Sequence, residues 1–432
     1  MQILVVGSGG REHAICAAFE RSERVKRIFC ANGNAGIAEI AECVPINPTE
    51  IGRLADFAER NSINMTFIGG EASLALGIAD EFQKRGLAVI GPSAAATRLE
   101  SSKIFAKDFM TRHRVPTAKY ANSMSPAAAI AILNNGQFGG PNASVVVKAD
   151  GLAAGKGVIV AADLAEAIAA INEMVSLVGS EAASQIVLEE CLVGHEVSLL
   201  MFADGEDFAL MPPTRDHKRI GEGDTGPNTG GMGTFTDSSL LSESQLEEIV
   251  ERIVRPTLRG CISEGYRFRG ILFLGLMMIE RASGGEAAPM LLEYNVRFGD
   301  PETQSILVRL DSDLGDVCDA MVEGRLANEA IEWKPGNSAC VVLAAKGYPS
   351  NPRTGDVISG VEDARASPDV RIFHSGTARN ANGDLITAGG RVLGVTAIGD
   401  DLNSTLRAAY NGVSKIAWNG MQFRRDIGGQ IR

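Results

Sequence analysis

The sequence lacks the features of a metal-stapled, secreted or membrane-spanning chain. Its seven cysteines are scattered, without a CxxC pair or a Cys/His cluster, which argues against a zinc site and a disulfide framework and fits a reducing compartment. No apolar run approaches the ~20 residues of a membrane helix. The first residues, MQILVVGSGG, lack the charged leader and long apolar core of a signal peptide. These absences predict a cytoplasmic protein with no membrane partner.

An excess of positive charge is also missing. The net charge is −12, so the surface repels nucleic acid and anionic membranes, and we expect no nucleic-acid partner. A phosphate-bearing ligand would need cations gathered in a local site. The chain has 432 residues, 45% of them hydrophobic, which is enough for roughly two to four domains with their own cores.

The first hundred residues alternate between apolar strands and amphipathic helices. The predicted strands are 3–6, 27–31, 65–68 and 88–90, and the predicted helices are 12–21, 51–61 and 74–85. This β-α-β rhythm predicts an open parallel sheet, with ligand-binding loops at the carboxyl ends of the strands.

The pattern changes after residue 101. The predicted elements are helices at 101–112, 164–178, 243–265, 311–323 and 402–416, and strands at 143–148, 158–161, 186–190, 196–202, 270–280, 290–295, 339–344, 371–375 and 391–398. Residues 210–233 are interpreted as a long polar, glycine-rich loop, and loops of this length are usually functional or disordered. We predict an α/β protein in three parts. These are an N-terminal Rossmann-like domain (1–101), a central two-part domain (102–325, with a mobile lid at about 116–188) and a small C-terminal α/β domain (326–432).

The first glycine turn, VVGSGGREH (5–13), resembles a dinucleotide fingerprint but departs from it. Glu12 occupies the third glycine position, and no acidic residue ends the following strand, so NAD binding and a dehydrogenase are disfavoured. A glycine turn that opens a helix still presents N–H groups to an anion, and Arg11 is near. The turn therefore indicates either a site for a single phosphate or a tight turn without a ligand.

The second glycine loop, DGLAAGKG (150–157), lies between two predicted strands and is not a P-loop. Lys148 ends the first strand and Lys156 lies inside the loop. A triphosphate needs fixed cations and a side-chain-poor cover that approaches its oxygens closely. The alternative is a surface hairpin with two solvated lysines.

A third group of polar residues follows a later strand. Glu293, Asn295 and Arg297 share one face by the two-residue period of a strand. Carboxylate and amide oxygens side by side suit a hard divalent cation such as Mg²⁺, the usual partner of ATP phosphates. Arg297 could stabilise developing acyl-phosphate charge. The alternative is a half-exposed strand whose polar residues face solvent.

The three groups occur in the order of an ATP-grasp enzyme, with Glu189-Glu190 at a strand end between the second and third. The chain resembles the phosphoribosylamine–glycine ligase (glycinamide ribonucleotide synthetase) family of that superfamily, nearly from end to end. The matching stretches are GSGGREHA (7–14), GNAG (33–36), SKIFAKDF (102–109), KADGLAAGKGV (148–158), DHKRIGEGDTGPNTGGMG (216–233), EYNVRFGDPETQ (293–304) and RTGDVISG (353–360).

The resemblance implies an ADP-forming carbon–nitrogen ligase of purine biosynthesis. It would join glycine to 5-phosphoribosylamine through a glycyl phosphate, using ATP and Mg²⁺ (or Mn²⁺), with no covalent enzyme intermediate. The implied partners are these small molecules. Because phosphoribosylamine is labile, a transient contact with the preceding amidotransferase is a further hypothesis.

Roles follow from the family motifs residue by residue. Implied nucleotide-binding residues are Lys107, Lys148, Gly151, Gly155, Lys156, Gly157, Glu189, Glu190, Leu192 and Glu196. Implied metal ligands are Glu293 and Asn295, and implied catalytic residues are Asp216, Lys218, Arg297 and Asp300. Implied substrate-binding residues are Gly9, Gly10, Arg11, Asn34, Ala35 and Gly36 for the phosphoribosyl group, and Asp224, Thr225, Gly226 and Pro227 for glycine, together with the catalytic residues. His13 and His217 need not act as bases, and we expect His195 and His374 to be structural or surface residues.

The sequence departs from the family pattern at Gly70, His195, Arg215 and Lys346, which affects substrate contacts around 214–218 most. Two alternatives stay open. Another ATP-grasp ligase or carboxylase would use bicarbonate and would lack the strings DTGPNTGGMG and RFGDPETQ. A non-catalytic nucleotide-binding module would have no need to retain Lys107, Lys148 and Glu293 together.

Overall fold

The computed structural model describes residues 1–151, 157–179, 184–282 and 284–429. None of the helices in these ranges is long and apolar enough to cross a membrane. The elements below are numbered in chain order.

The N-terminal part is a parallel sheet flanked by helices. Its elements are β1 (Gln2–Gly7), α1 (Gly10–Glu20), β2 (Arg27–Asn32), β3 (Glu42–Val44), α2 (Ile51–Arg60), β4 (Met65–Ile68), α3 (Glu71–Ala75), α4 (Ile78–Lys84) and β5 (Val89–Ile90). The strand order is β3-β2-β1-β4-β5 with all neighbours parallel. Leu4 and Val6 face one core and Ile3 and Val5 the other, as a strand covered on both faces requires. The predicted parallel sheet is confirmed, and its strand ends bring the loops after β1, β2 and β4 to one edge.

The following part contains an antiparallel sheet. The N-terminal part ends with α5 (Ala94–Ser101), and the elements of the following part are α6 (Lys103–Arg112), β6 (Tyr120–Ser123), α7 (Pro126–Asn134), β7 (Val145–Ala149), β8 (Val158–Ala161), α8 (Leu164–Val178) and β9 (Ile186–Glu190). Within the described ranges, four strands pair in the order β6-β9-β7-β8. The predicted hairpin around the second glycine loop is therefore confirmed as β7 and β8. The sequence analysis did not predict β6 or α7.

The rest of the chain is built on one large sheet. Its elements are β10 (His195–Asp204), β11 (Phe208–Leu210), β12 (Thr214–Asp216), β13 (Arg219–Gly221), β14 (Thr225–Asn228), β15 (Gly233–Thr236), α9 (Glu243–Ile249), α10 (Arg255–Ser263), β16 (Arg269–Ile279), β17 (Ala288–Asn295), α11 (Glu302–Leu307), α12 (Leu314–Glu323), β18 (Asn337–Ala344), α13 (Val361–Arg365), β19 (Val370–His374), β20 (Thr377–Arg379), β21 (Leu385–Thr387), β22 (Arg391–Gly399) and α14 (Leu402–Val413). Among the described residues the strand order is β17-β16-β10-β12-β15-β18-β22-β19, with β11 beside β10.

The large sheet joins the predicted central and C-terminal parts. β15 pairs with β18, so the C-terminal strands continue the sheet that carries β16 and β17. A separate core, which includes Val341, Val395 and Val413, still forms between these strands and α14. The α/β class and the three-part organisation are confirmed, while the exact domain boundaries stay predictions.

Two local predictions were wrong, and a third, the helix 243–265, is confirmed over 243–263 with one irregular turn. The supposed loop 210–233 contains β12, β13 and β14 and ends at the start of β15. β13 and β14 pair with each other, while β12 and β15 pair with each other and with the distant strands β10 and β18. The predicted helix 74–85 breaks at Gly77, where φ is +83°. The predicted helix 243–265 includes a π-helical turn, Val250–Val254, directly before the α10 residue Pro256, whose ring cannot donate a backbone hydrogen bond.

Candidate active site

Two buried lysines from different elements converge on one carboxylate. Lys107 of α6 and Lys148 of β7 place Nζ 2.8 Å and 2.7 Å from the two oxygens of Glu189 near the end of β9. Burial and the positive charge of Lys148 lower the pKa of Lys107 to about 8, despite Glu189. The pair is a concentrated positive charge in a largely water-free place, where it would act strongly on phosphate oxygens.

The glycine loop begins beside these lysines. Lys103, at the start of α6, donates from Nζ to the carbonyl of Gly151 at 2.8 Å. Asp150 accepts from the Ile104 N–H at 3.1 Å, which ties the root of the loop to the first turn of the helix. Gly157 ends the loop and accepts a hydrogen bond from the Ala149 N–H. The predicted residues Gly155 and Lys156 lie outside the described residues.

The segment after β9 carries the other predicted nucleotide contacts. Glu190 accepts the backbone N–H of Lys119 at 2.8 Å, and Leu192 is half-buried. Glu196 lies at the start of β10 and pairs with Lys218 at 3.1 Å. The Glu196 carboxylate raises the pKa of Lys218. The structure thus brings Glu196, a predicted nucleotide-binding residue, together with Lys218, a predicted catalytic residue.

Glu293 and Asn295 lie at the carboxyl end of β17, and the charges of Lys218, Lys148 and Lys103 act on Glu293. Glu293 is opposite Gly275 of β16, where a Cβ atom would come within 3.1 Å of Glu293 Cγ. Burial opposes ionisation of Glu293, but the charges of Lys218, Lys148 and Lys103 outweigh it and lower its pKa. The carboxylate is therefore held anionic among three lysines.

The donor set of these two residues fits a magnesium-like ion that also binds phosphate. Mg²⁺ usually takes one or two carboxylates from the protein and completes its shell with phosphates and water. In the described part of the chain, no group of three or more His, Cys, Asp and Glu residues could hold a metal ion. One carboxylate and one amide oxygen suit a cation that arrives with a nucleotide.

Arg297 lies two residues beyond the end of β17, so it does not share a strand face with Asn295 as predicted. It still contacts Asn295, donating from Nη2 to Oδ1 at 3.2 Å. Its other partners come from the N-terminal part, Glu71 at 3.2 Å and Glu100 at 2.9 Å. Against the effect of burial, Arg297 and Arg11 lower the pKa of Glu71 to about 2. The guanidinium is held between two carboxylates beside the candidate metal ligands.

A group of carboxylates lies on the other side of Arg297. Asp300 accepts from Gln304 at 2.8 Å and lies 3.2 Å from Arg391. Arg391 and Arg11 lower the pKa of Asp300 despite burial. Burial and the nearby Glu302 raise the pKa of Asp216 well above its ordinary value. Burial likewise raises the pKa of Glu302. The pKa of Asp300 is therefore lowered, while those of Asp216 and Glu302 are raised, within one buried group.

The first glycine turn faces these carboxylates. A Cβ on Gly9 would lie 3.2 Å from Asp300 Oδ2, and one on Gly10 would lie 2.5 Å from Ser375 Oγ. Glu12 fills the turn and accepts the Gly9 N–H at 2.6 Å. Arg11 binds Glu12 at 2.7 Å and donates to the carbonyl of Phe298 at 3.0 Å. The predicted phosphoribosyl site and the predicted glycine site are neighbours.

The turn 34–36 closes this region against the C-terminal part. Asn34 donates from Nδ2 to the carbonyls of Ser8 and His374, both at 2.8 Å, and the Gly36 N–H donates to its Oδ1. The Ala35 N–H donates to the carbonyl of Thr377 at 3.4 Å. These contacts orient the turn and link the N-terminal sheet edge to β19.

The histidines behave as structural residues. His13 accepts the backbone N–H of His374 at 2.8 Å, and burial lowers the pKa of each to about 3. Burial and Arg424 lower the pKa of His217 to about 4. His195 is exposed. The expectation that His374 is structural or on the surface is met by a fully buried side chain.

The remaining predicted substrate residues lie on an exposed hairpin formed by β13 and β14. Asp224, Thr225, Gly226 and Pro227 are all exposed. Asp224 pairs with Arg424 at 2.6 Å. The contacts of this hairpin therefore run to the C-terminal segment of the chain, and its role toward substrate stays a prediction.

Sequence reasoning did not assign five residues that the structure places in this region. They are Glu71, Glu100, Lys103, Glu302 and Arg391. Lys103 and Glu302 lie inside the quoted motifs 102–109 and 293–304, so a signal was present. Glu100 and Arg391 lie in no motif, and only the fold brings them to Arg297 and Asp300.

Comparison with known proteins decides the family. The N-domain model of phosphoribosylglycinamide synthetase matches residues 1–100, its ATP-grasp (A) domain model 101–303 and its C-domain model 338–430. The chain belongs to the phosphoribosylamine–glycine ligase family. The ligase of Xanthomonas axonopodis pv. citri is 44% identical over 431 residues, covering 99% of this chain and 97% of that protein. The Pseudomonas aeruginosa ligase is 44% identical over 433 residues, with the same coverage.

Solved structures agree with this family assignment. The crystal structure of the Thermotoga maritima phosphoribosylamine–glycine ligase has a TM-score of 0.83 and 32% identity, covering 99% of this chain and 100% of that one. The biotin carboxylase domain of the Hydrogenobacter thermophilus 2-oxoglutarate carboxylase has a TM-score of 0.72 but only 16% identity, covering 98% of this chain and 91% of that one. The second likeness is one of fold alone, so the carboxylase alternative loses its support.

Proposed function

We propose that this protein joins glycine to 5-phosphoribosylamine with ATP, giving glycinamide ribonucleotide, ADP and phosphate. The observation that carries the proposal is the convergence of buried Lys107 and Lys148 on Glu189, at 2.8 Å and 2.7 Å. Nearby, the charges of Lys218, Lys148 and Lys103 lower the pKa of Glu293. An anionic carboxylate surrounded by cations supplies both a metal ligand and binding groups for phosphate oxygens. The membership of the whole chain in the ligase family narrows this ATP chemistry to glycine and the phosphoribosyl amine.

Lys107 and Lys148 would bind ATP phosphates. Their partner Glu189 holds both side chains in place, while the loop from Gly151 to Gly157 would cover the phosphates. Glu293 and Asn295 would hold a divalent cation, for which we propose Mg²⁺, with Mn²⁺ as a substitute. When bound, this cation would neutralise phosphate charge.

Arg297 would stabilise charge on the phosphoryl group as it passes to the glycine carboxylate. Positioning and electrostatic stabilisation supply most of the acceleration in phosphoryl transfer. Asp300 lies between this arginine and the first glycine turn. A phosphoribosyl amine held by that turn would thus be close to the acyl group it attacks, and its proton can leave to phosphate.

The test is ADP release by purified protein supplied with Mg-ATP, glycine and freshly generated 5-phosphoribosylamine, with each omitted in turn. The proposal expects ADP only when both glycine and the amine are present, together with glycinamide ribonucleotide. Bicarbonate-dependent ADP release would instead place the protein with the carboxylases. ATP binding without turnover under any of these conditions would indicate a non-catalytic module.

A further inference from the structure

One arginine in the C-terminal segment is more deeply buried than its type usually permits. Arg424 is 1% exposed. Its Nε and Nη2 donate to the two carboxylate oxygens of Asp426 at 2.8 Å and 2.7 Å. Buried arginines persist when their fork of donors is fully used, and this bidentate pair uses only part of it.

The remaining donors of Arg424 go to the predicted substrate hairpin. Nη1 donates to the carbonyl of Arg219 in β13 at 3.1 Å and to Asp224 Oδ1 in the turn at 2.6 Å. Asp426 accepts the backbone N–H of Gly223 at 2.8 Å. One guanidinium and its carboxylate partner therefore contact both a strand and the turn of the hairpin.

The turn needs such support because its backbone conformation is uncommon. Gly223 and Asp224 have φ values of +65° and +54°. Aspartate tolerates this left-handed region better than most residues, but the conformation is still costly without a partner. The Asp224–Arg424 pair supplies that partner.

The hairpin leads directly into the candidate site. β13 begins one residue after Lys218, whose carbonyl accepts the Thr229 N–H at 2.8 Å and so closes the base of the hairpin. The charge of Arg424 also reaches His217, the residue between Asp216 and Lys218. A displacement of the hairpin would therefore be transmitted to both predicted catalytic residues.

We infer that Arg424 is a positioning residue that fixes the 219–228 hairpin in the form that binds the glycine side of the reaction. This inference rests on the proposed function. Arg424 is buried, so it acts through Asp224 and Arg219 rather than on substrate.

Four variants test the inference. Arg424→Met removes the donors, and Arg424→Lys restores charge with a single donor group. Asp224→Asn removes the carboxylate charge of the same pair from its exposed side, and asparagine tolerates the left-handed turn equally well. Arg425→Met is the matched control, because this exposed neighbour contacts Glu222 at 3.4 Å and the Phe423 ring, and uses neither Asp224 nor Arg219 in the contacts described.

Two measurements are made on each variant of the full chain: hydrogen exchange of residues 219–228 in the free protein, and the KM values for glycine and ATP. We expect Arg424→Met and Asp224→Asn to speed exchange and to raise the glycine KM about 10-fold or more, with the ATP KM within about 2-fold. Arg424→Lys should recover part of the loss. Arg425→Met should match the wild type.

A double variant separates positioning from direct contact. If Asp224 acts only through Arg424, Arg424→Met with Asp224→Asn is no worse than Arg424→Met alone. If Arg424→Met does not fold, Asp224→Asn alone carries the test. Unchanged exchange in Asp224→Asn would overturn the inference, as would faster exchange with an unchanged glycine KM. Failure of the proposed function is seen separately, as absence of glycine-dependent ADP release by the wild type.

Discussion

The carboxylate of Glu100 lies 2.9 Å from Nη2 of Arg297, and its other oxygen accepts the backbone N–H of Val296 at 2.8 Å. Glu71 binds Nε of the same guanidinium at 3.2 Å. Two carboxylates from the N-terminal part thus fix an arginine that follows the strand of the candidate metal ligands. The orientation of Arg297 depends on how the N-terminal and central parts pack together.

Replacing Glu100 by glutamine should therefore slow catalysis more than it weakens nucleotide binding. Glu100→Gln keeps the side-chain shape but removes the charge that holds Arg297. We expect kcat to fall about 10-fold or more, since hydrogen bonds to charged groups contribute roughly 1.5–3 kcal/mol. The ATP KM should change less than about 2-fold. Steady-state kinetics measures both, with the exposed glutamate variant Glu59→Gln as control. An unchanged kcat would contradict the role given to Glu100.

Nucleotide affinity should weaken at alkaline pH because Lys107 loses its proton there. The folded-state pKa of Lys107 is lowered from 10.5 to about 8, so its ammonium is intact below that pH and is lost as the pH rises through it. Calorimetric titration with Mg-ADP should give a dissociation constant that increases above about pH 8. Lys107→Met should bind more weakly but without this pH dependence, whereas Lys119→Met, at an exposed lysine, should retain it. The same pH dependence in Lys107→Met would assign the titration to another group.

Much of the fold was predictable because its signals are local. Apolar runs separated by helical periods predict β1, β2 and β4, and the glycine loop between two short strands predicts the hairpin of β7 and β8. β12 to β15 were missed because they are three or four residues long and rich in polar residues and glycine. β13 and β14 form a local hairpin, but β12 and β15 are stabilised by distant partners, β10 and β18. Their pairing is a tertiary effect that no local period records.

The candidate site shows the same difference between local signals and tertiary contacts. The two-residue period of a strand predicts that Glu293 and Asn295 lie side by side, and the family motifs point to Lys107 and Lys148. The partners that orient these groups are contributed by other segments, as Glu100 is for Arg297. The sequence therefore predicts the residues proposed to bind metal and nucleotide better than the residues that orient them.

A methyl group at position 275 should weaken metal binding without weakening the fold. In Gly275→Ala the new Cβ would lie 3.1 Å from Glu293 Cγ, so the carboxylate must move by a few tenths of an ångström. This displacement approaches the limit of about 0.5 Å within which a metal ligand must be held, so we expect Mn²⁺ affinity in the presence of ADP to fall, by about 10-fold at most. The melting temperature should stay equal or rise slightly, because glycine weakens strands relative to alanine.

Gly52→Ala is the control for this experiment, because a Cβ there would meet nothing within 4 Å. Electron paramagnetic resonance of Mn²⁺ measures the free ion directly. Equal affinities in the wild type, Gly275→Ala and Gly52→Ala would show that Glu293 is not a ligand. A large fall in melting temperature for Gly275→Ala alone would point to a packing defect.

Mild acid should destabilise the protein through His13 and His374. Burial lowers the pKa of each from 6.5 to about 3, so the unfolded chain binds protons between these values while the folded protein does not. The contribution of the two histidines to the free energy of unfolding is therefore fully present above about pH 6.5. It falls as the pH is lowered, by up to about 1.4 kcal/mol per pH unit for each histidine. Urea unfolding at several pH values measures the slope.

Variants of the two histidines isolate their share of that slope. The slope of the free energy of unfolding against pH should be smaller in His374→Gln by up to about 1.4 kcal/mol per pH unit. His195→Gln, at an exposed position, should have the same slope as the wild type. The charge of Arg365 also disfavours a proton on either ring. If His374→Gln and the wild type had the same slope, the buried pair would have to be protonated in the folded protein, and the contact between His13 and the His374 N–H would have to break on acidification.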